Sequence, residues 1–181
     1  MASNYFARSM HTIASIDLEE VQEIVRALVA LRAQGATVFV SGNGGSQALA
    51  QHLVLHLRNN GIRAYDVTAD NAWLTATSND YEYDQVAERF PYIRLLGCNQ
   101  QASKPGYAVF VISGSGDSTN VVTALSVAKN FGLRRLALLG FGGGRAKDYA
   151  EAAVVLDSTE CGPVEDAHLV IVHALNEMLK P

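Results

Sequence analysis

Two stretches of this chain gather glycines and small hydroxyl residues where a strand pattern gives way to a helix pattern. They are Ser41-Gly42-Asn43-Gly44-Gly45-Ser46 and Ser113-Gly114-Ser115-Gly116-Asp117-Ser118. Glycine lets the backbone approach a ligand closely, and a helix start offers free N–H groups and positive dipole potential. Such turns suit a phosphate or a polyhydroxylated ligand, and the three serines of the second turn favour phosphate. Glycine-rich turns also occur in this setting with no ligand, but two in one short chain point to binding. Neither is a GxGxxG fingerprint at a first βα turn, and neither carries the GK[ST] of a P-loop. A nucleotide is therefore not the expected ligand.

The histidines are the second signal. His52 and His56 lie four apart on the helix that follows the first turn, so they share a face. His168 and His173 lie on the last helix, behind Glu165. An i, i+4 pair is either two polar surface positions or two ligands of a divalent metal. A third histidine and a carboxylate from another helix would complete a four-ligand set. His52, His56, Glu165 and His173 are the candidates, and imidazoles with one carboxylate suit zinc better than magnesium or calcium. Glu165 and His173 are eight residues apart, roughly 12 Å along an ideal helix, so sharing one ion would require an irregular first turn or a long reach. His11 has no partner in sequence and reads as structural. Cys161 either faces a site or is a small buried thiol.

These residues need a scaffold, and the hydrophobic period supplies one. Apolar residues from Ile13 to Leu31 recur at helical spacing, with Asp17 and Glu20 as a capping pair and Gly35 as the stop. Thr37 to Val40 is a buried-strand pattern, followed by a helix over 47–58. Further strands are expected at 62–67, 107–112, 136–139 and 153–156, with helices over 119–131 and 163–179. Phe90 to Pro105 reads as a long excursion loop. Strands alternating with helices predict a parallel sheet covered on both faces, a three-layer αβα sandwich of flavodoxin-like or Rossmann-like type.

Composition narrows the class. The chain has 181 residues, 49% of them hydrophobic and 18% charged, which fits one globular domain. Its net charge of −4 argues against nucleic acid held by bulk charge. Two cysteines without a CxxC pair argue against a disulfide framework and fit a reducing compartment. No apolar run approaches the ~20 residues of a membrane span, and residues 1–8 lack the pattern of a secretion signal. The expected location is the cytoplasm, with no membrane partner.

Four motifs together resemble the sedoheptulose-7-phosphate isomerases (phosphoheptose isomerases), which are single SIS domains of the sugar-isomerase fold. They are Gly42-Asn43-Gly44-Gly45-Ser46 with Gln51-His52, then Asn79-Asp80-Tyr81, then Ser113 to Ser118 with Asn120-Val121, then Val164-Glu165-Asp166 with His168 and His173. The resemblance runs in order through nearly the whole chain. It implies that residues 1–181 form one SIS domain with an amino-terminal oligomerisation helix, assembled as a homotetramer with sites near subunit boundaries. It implies that Asn43, Gly44, Gly45, Ser46, Asn79 and Asp80 line the sugar, with Glu165 beside them. Ser113, Gly114, Ser115 and Ser118 would hold the phosphate. His52, His56, Glu165 and His173 would hold zinc, with Glu165, His173 and His56 as acid or base.

The implied reaction is aldose–ketose isomerisation of a phosphorylated sugar, sedoheptulose 7-phosphate to a manno- or altro-configured heptose 7-phosphate, through an enediol. The alternative is a non-catalytic SIS protein that binds a sugar phosphate or associates with a replication initiator. The chain departs from the family pattern at three residues and in a longer loop between Asn79-Asp80 and the phosphate motif. His56 stands where Glu is usual, Glu165 where Gln is usual, and Asp117 where the phosphate loop usually has Asn. A carboxylate beside a phosphate repels it, so the Asp117 side chain is expected to point away.

Overall fold

The computed structural model describes residues 2–87, 89 and 106–180. Five strands form one sheet: β1 Thr37–Ser41, β2 Arg63–Asp66, β3 Tyr107–Ser113, β4 Arg134–Leu139 and β5 Ala152–Val155. The order is β2-β1-β3-β4-β5 and every pairing is parallel. Six helices surround it among the described residues: α1 Ala2–Ala14, α2 Leu18–Ala33, α3 Gly44–Asn59, α4 Asn71–Asp80, α5 Thr119–Asn130 and α6 Cys161–Met178. The chain leaves β1 towards β2, then returns to place β3 on the other side of β1. Ligands of such sheets bind where the order reverses, in the crevice at the carboxyl ends of β1 and β3.

Period-two alternation along the strands builds two cores. Val38, Val40, Phe110, Leu136 and Leu138 face one side, where α2, α3 and α6 supply Leu28, Leu53, Leu57, Val172 and Leu175. Phe39, Val109, Val111, Ala137 and Leu139 face the other, against Val121 and Leu125 of α5 with Trp73 and Leu74 of α4. The αβα sandwich expected from the pattern is therefore the observed architecture. Phe90 to Pro105, read as an excursion loop, lies outside the described residues.

Two local readings are corrected. The amino-terminal apolar pattern is two helices, because Asp17 caps a new one: its carboxylate accepts the Glu19 N–H at 2.8 Å. Glu20 does not complete a capping box. Its carboxylate accepts the Val155 N–H of edge strand β5 at 2.9 Å, which ties α2 to the sheet. Helix α4 has no counterpart in the sequence reading; it starts where Asp70 accepts the Trp73 N–H at 3.0 Å.

Candidate functional site

The first glycine turn joins β1 to α3. A Cβ on Gly42 would meet the Ser46 carbonyl carbon at 2.7 Å, so only glycine lets the strand pass this close to the first helical turn. Gly44 sits at φ +53° and is exposed, and a Cβ there would meet nothing. Asn43 occupies the cap position of α3, yet its side chain makes no cap bond. It turns across the crevice instead. Its carboxamide donates to Asn120 Oδ1 at 2.9 Å and accepts from Asn120 Nδ2 at 2.8 Å and from the Tyr83 hydroxyl at 2.8 Å. Ser46 is buried at the base of the turn.

The second turn joins β3 to α5. Buried Ser113 accepts the Gly116 N–H through its Oγ at 3.0 Å, and Ser115 Oγ accepts the Asp117 N–H at 3.2 Å. Ser118 holds the cap position of α5 with no side-chain cap bond, which leaves its hydroxyl available. A Cβ on Gly114 would meet nothing, whereas one on Gly116, at φ +67°, would strike the Gly143 carbonyl. Asp117 is turned towards Arg145, whose backbone N–H it accepts at 3.0 Å and whose guanidinium it meets at 3.3 Å. The remaining surface of the turn is hydroxyls and backbone N–H groups at a helix start, which is a neutral cradle for an anion.

Asn79 and Asp80 lie exposed at the end of α4 and bond to each other at 2.9 Å. The side chain that reaches Asn43 from this region is Tyr83, which the motif reading did not single out. Its pKa is raised by burial first and by Asp84 second.

Helices α3 and α6 run parallel and in contact, and three rungs join them. At the first, Glu165 lies so close over Gly45 that a Cβ there would fall on its carboxylate. At the second, His52 Nε2 lies 3.0 Å from both His173 Nε2 and His56 Nε2. At the third, Asn60 donates to Asn176 Oδ1 at 2.9 Å. Gly45 and His52 are two turns apart, roughly 10 Å along α3. The structure thus brings His52, His56 and His173 together, with ligand atoms all within 4.8 Å of one another, while Glu165 stands at the adjoining rung, over Gly45.

An imidazole nitrogen carries either a proton or one in-plane lone pair. His52 Nε2 cannot make two good hydrogen bonds at once, whereas a cation among the three nitrogens satisfies every lone pair. Burial first, then the His52 and His173 rings, lower the pKa of His56, which keeps it in the neutral form that ligation needs. The donor set therefore fits a borderline-soft divalent metal.

The other singled-out residues fall outside this cluster. His168 is fully buried in α6; burial lowers its pKa to about 4, with the Leu139 backbone opposing slightly. His11 is exposed on α1, and Cys161, read as a buried thiol or a site residue, is exposed at the start of α6.

A family model described as the SIS domain matches residues 3–140. The probable phosphoheptose isomerase of Thermoplasma volcanium is 36% identical over 179 residues, covering 96% of this chain and 87% of that protein. The phosphoheptose isomerase of Mycobacterium tuberculosis is 34% identical over 166 residues, covering 88% and 81%. The solved structure of a phosphoheptose isomerase from Francisella tularensis superposes with a TM-score of 0.85 at 28% identity, covering 98% of this chain and 95% of that one.

Proposed function

We propose, on the premise that this chain belongs to the SIS-domain family and stands among its phosphoheptose isomerases, that it converts sedoheptulose 7-phosphate to a heptose 7-phosphate. It is an enzyme of the aldose–ketose isomerase class, and its substrates are sugar phosphates. The observation that carries the residue assignment is the Glu165 carboxylate lying directly over Gly45, in the turn that lines the crevice.

Glu165 is the base. It takes the proton from C1 of the ketose and returns it to C2, while the hydroxyl proton moves from the C1 oxygen to the C2 oxygen through the enediol. Asn43, Gly44, Gly45 and Ser46 line the sugar from one side, with Asn79 and Asp80 from the α4 side. Ser115, Ser118 and the N–H groups of the second turn hold the phosphate, with Ser113 shaping the turn and Gly114 leaving it open. His52 and His56, with His173 where it serves as a ligand, would hold one zinc ion, which would supply Lewis-acid chemistry beside the crevice. His173, the most exposed of the three, is the partner acid or a ligand, according to whether the metal takes its lone pair.

Active sites of this kind would sit near subunit boundaries. Phe6 and Met10, four apart on α1, are each 65% exposed, and Leu169 and Val170 are exposed on α6 beside it. An apolar surface of this sort supports a homotetramer. Light scattering at micromolar concentration tests it, and a 19 kDa species would refute it.

The deciding experiment assays Glu165→Gln for metal content and for turnover across a panel of ketose phosphates. Zinc retained with turnover lost supports the base. Zinc lost would make Glu165 a ligand, and full turnover would remove it from the mechanism.

A further inference from the structure

Behind the first glycine turn lies a polar chain that ends on Asp66, at the carboxyl end of β2. Asp66 is 9% exposed and satisfies four donors. Its Oδ1 accepts from Gln47 Nε2 at 2.7 Å, from the Thr68 N–H at 2.8 Å and from the Thr68 hydroxyl at 2.9 Å, and its Oδ2 accepts from Gln51 Nε2 at 3.0 Å. Gln47 then hands the connection on, its Oε1 accepting the buried Gly42 N–H at 3.0 Å.

The polarity of this chain is fixed by chemistry. An ionised carboxylate only accepts, so the Gln47 carboxamide must turn its NH2 to Asp66. Its oxygen must then face Gly42, whose N–H only donates. One carboxylate on a neighbouring strand thereby sets the orientation of a side chain and, through it, one peptide group of the turn.

That connection answers why Asn43 is not spent on capping α3. A cap-position asparagine ordinarily closes the start of its own helix, but here its carboxamide crosses to Asn120 and Tyr83. The turn is held from behind by Gln47, so Asn43 need not hold it from within. We propose that Asp66 and Gln47 are positioning residues of the sugar site, fixing the Gly42 peptide so that Asn43 and Gly44 face the crevice. This rests on the reading of residues 43–46 as the sugar-lining turn.

The test uses the full-length protein and two variants. Gln47→Glu turns two carboxylates towards each other while keeping an acceptor for the Gly42 N–H, and adding Asp66→Asn removes one of the two facing charges. Two quantities are read: KM and kcat for the best sugar phosphate of the panel, and amide hydrogen exchange at Gly42, which needs no substrate. The single variant is expected to raise KM about tenfold with kcat within about twofold, and to speed Gly42 exchange. The double variant is expected to return KM to within about threefold of wild type and to restore Gly42 protection. Wild-type KM and wild-type Gly42 exchange in Gln47→Glu would overturn the proposal, as would a double variant no better than the single. If the wild type turns over no sugar phosphate, the isomerase reading alone fails, and Gly42 exchange still decides the positioning role.

Discussion

Lowering the pH from 7.5 to 5 is expected to remove about 2 kcal/mol of folding stability through His168 alone. The ring is fully buried in α6, and burial holds its pKa at about 4 against an ordinary value of 6.5. Above pH 6.5 the imidazole is neutral in both folded and unfolded chains, and its contribution is fully present. Between 6.5 and about 4 only the unfolded chain takes the proton, so stability falls as the pH falls through that window. At about 1.4 kcal/mol per unit the whole gap is about 3.5 kcal/mol, and somewhat over half of it is gone by pH 5. For a chain of this length that is a drop in Tm of about 4–8 °C.

The assay is urea unfolding at a fixed protein concentration at both pH values, for the wild type and for His168→Phe. Phenylalanine keeps an aromatic ring in the cavity and removes the titration. The remaining histidines, His56 among them, contribute equally to both proteins, so the difference between the two pH slopes isolates His168. The variant is expected to lose about 2 kcal/mol less than the wild type on acidification. Identical slopes would refute the argument. The consequence reaches the site, because the helix that buries His168 also carries Glu165 and His173.

Three further outcomes follow from distances at the site. Gly45→Ala places a methyl on the Glu165 carboxylate and should cut turnover at least about tenfold, while metal analysis finds the zinc content unchanged because the histidines lie two turns away. Gly116→Ala combines a left-handed backbone at φ +67° with a collision against the Gly143 carbonyl, so about 1–3 kcal/mol of strain should appear as a lower Tm and weaker phosphate binding by calorimetry. His52→Ala removes the nitrogen that lies 3.0 Å from both others, and should lower zinc from near one per chain to near none on purification without chelator, with circular dichroism unchanged.

The strands, both glycine turns and the shared face of His52 with His56 were legible in the sequence because each depends on neighbours within a few residues. Period two, period 3.6 and the tolerance of glycine for close approach are local rules. The Asp17 cap was legible for the same reason, since its partner Glu19 is two residues away. Glu20 was not, because its partner is Val155 on an edge strand 135 residues further on. The exposure of Cys161 and the full burial of His168 could not be read either, since both depend on what packs against α6.

That His173 joins the pair on α3 was expected from the sequence motifs, whereas whether Glu165 joins them was a tertiary question. The parallel contact of α3 with α6 sets the rungs: it brings His173 to His52 and leaves Glu165 two turns away, against Gly45. Asp66 shows the limit most plainly, for nothing in the local sequence ties a strand-end carboxylate to Gly42. Only the pairing of β2 beside β1 brings that carboxylate within 2.7 Å of Gln47, because a side chain's acceptors find their donors through packing and not through sequence spacing.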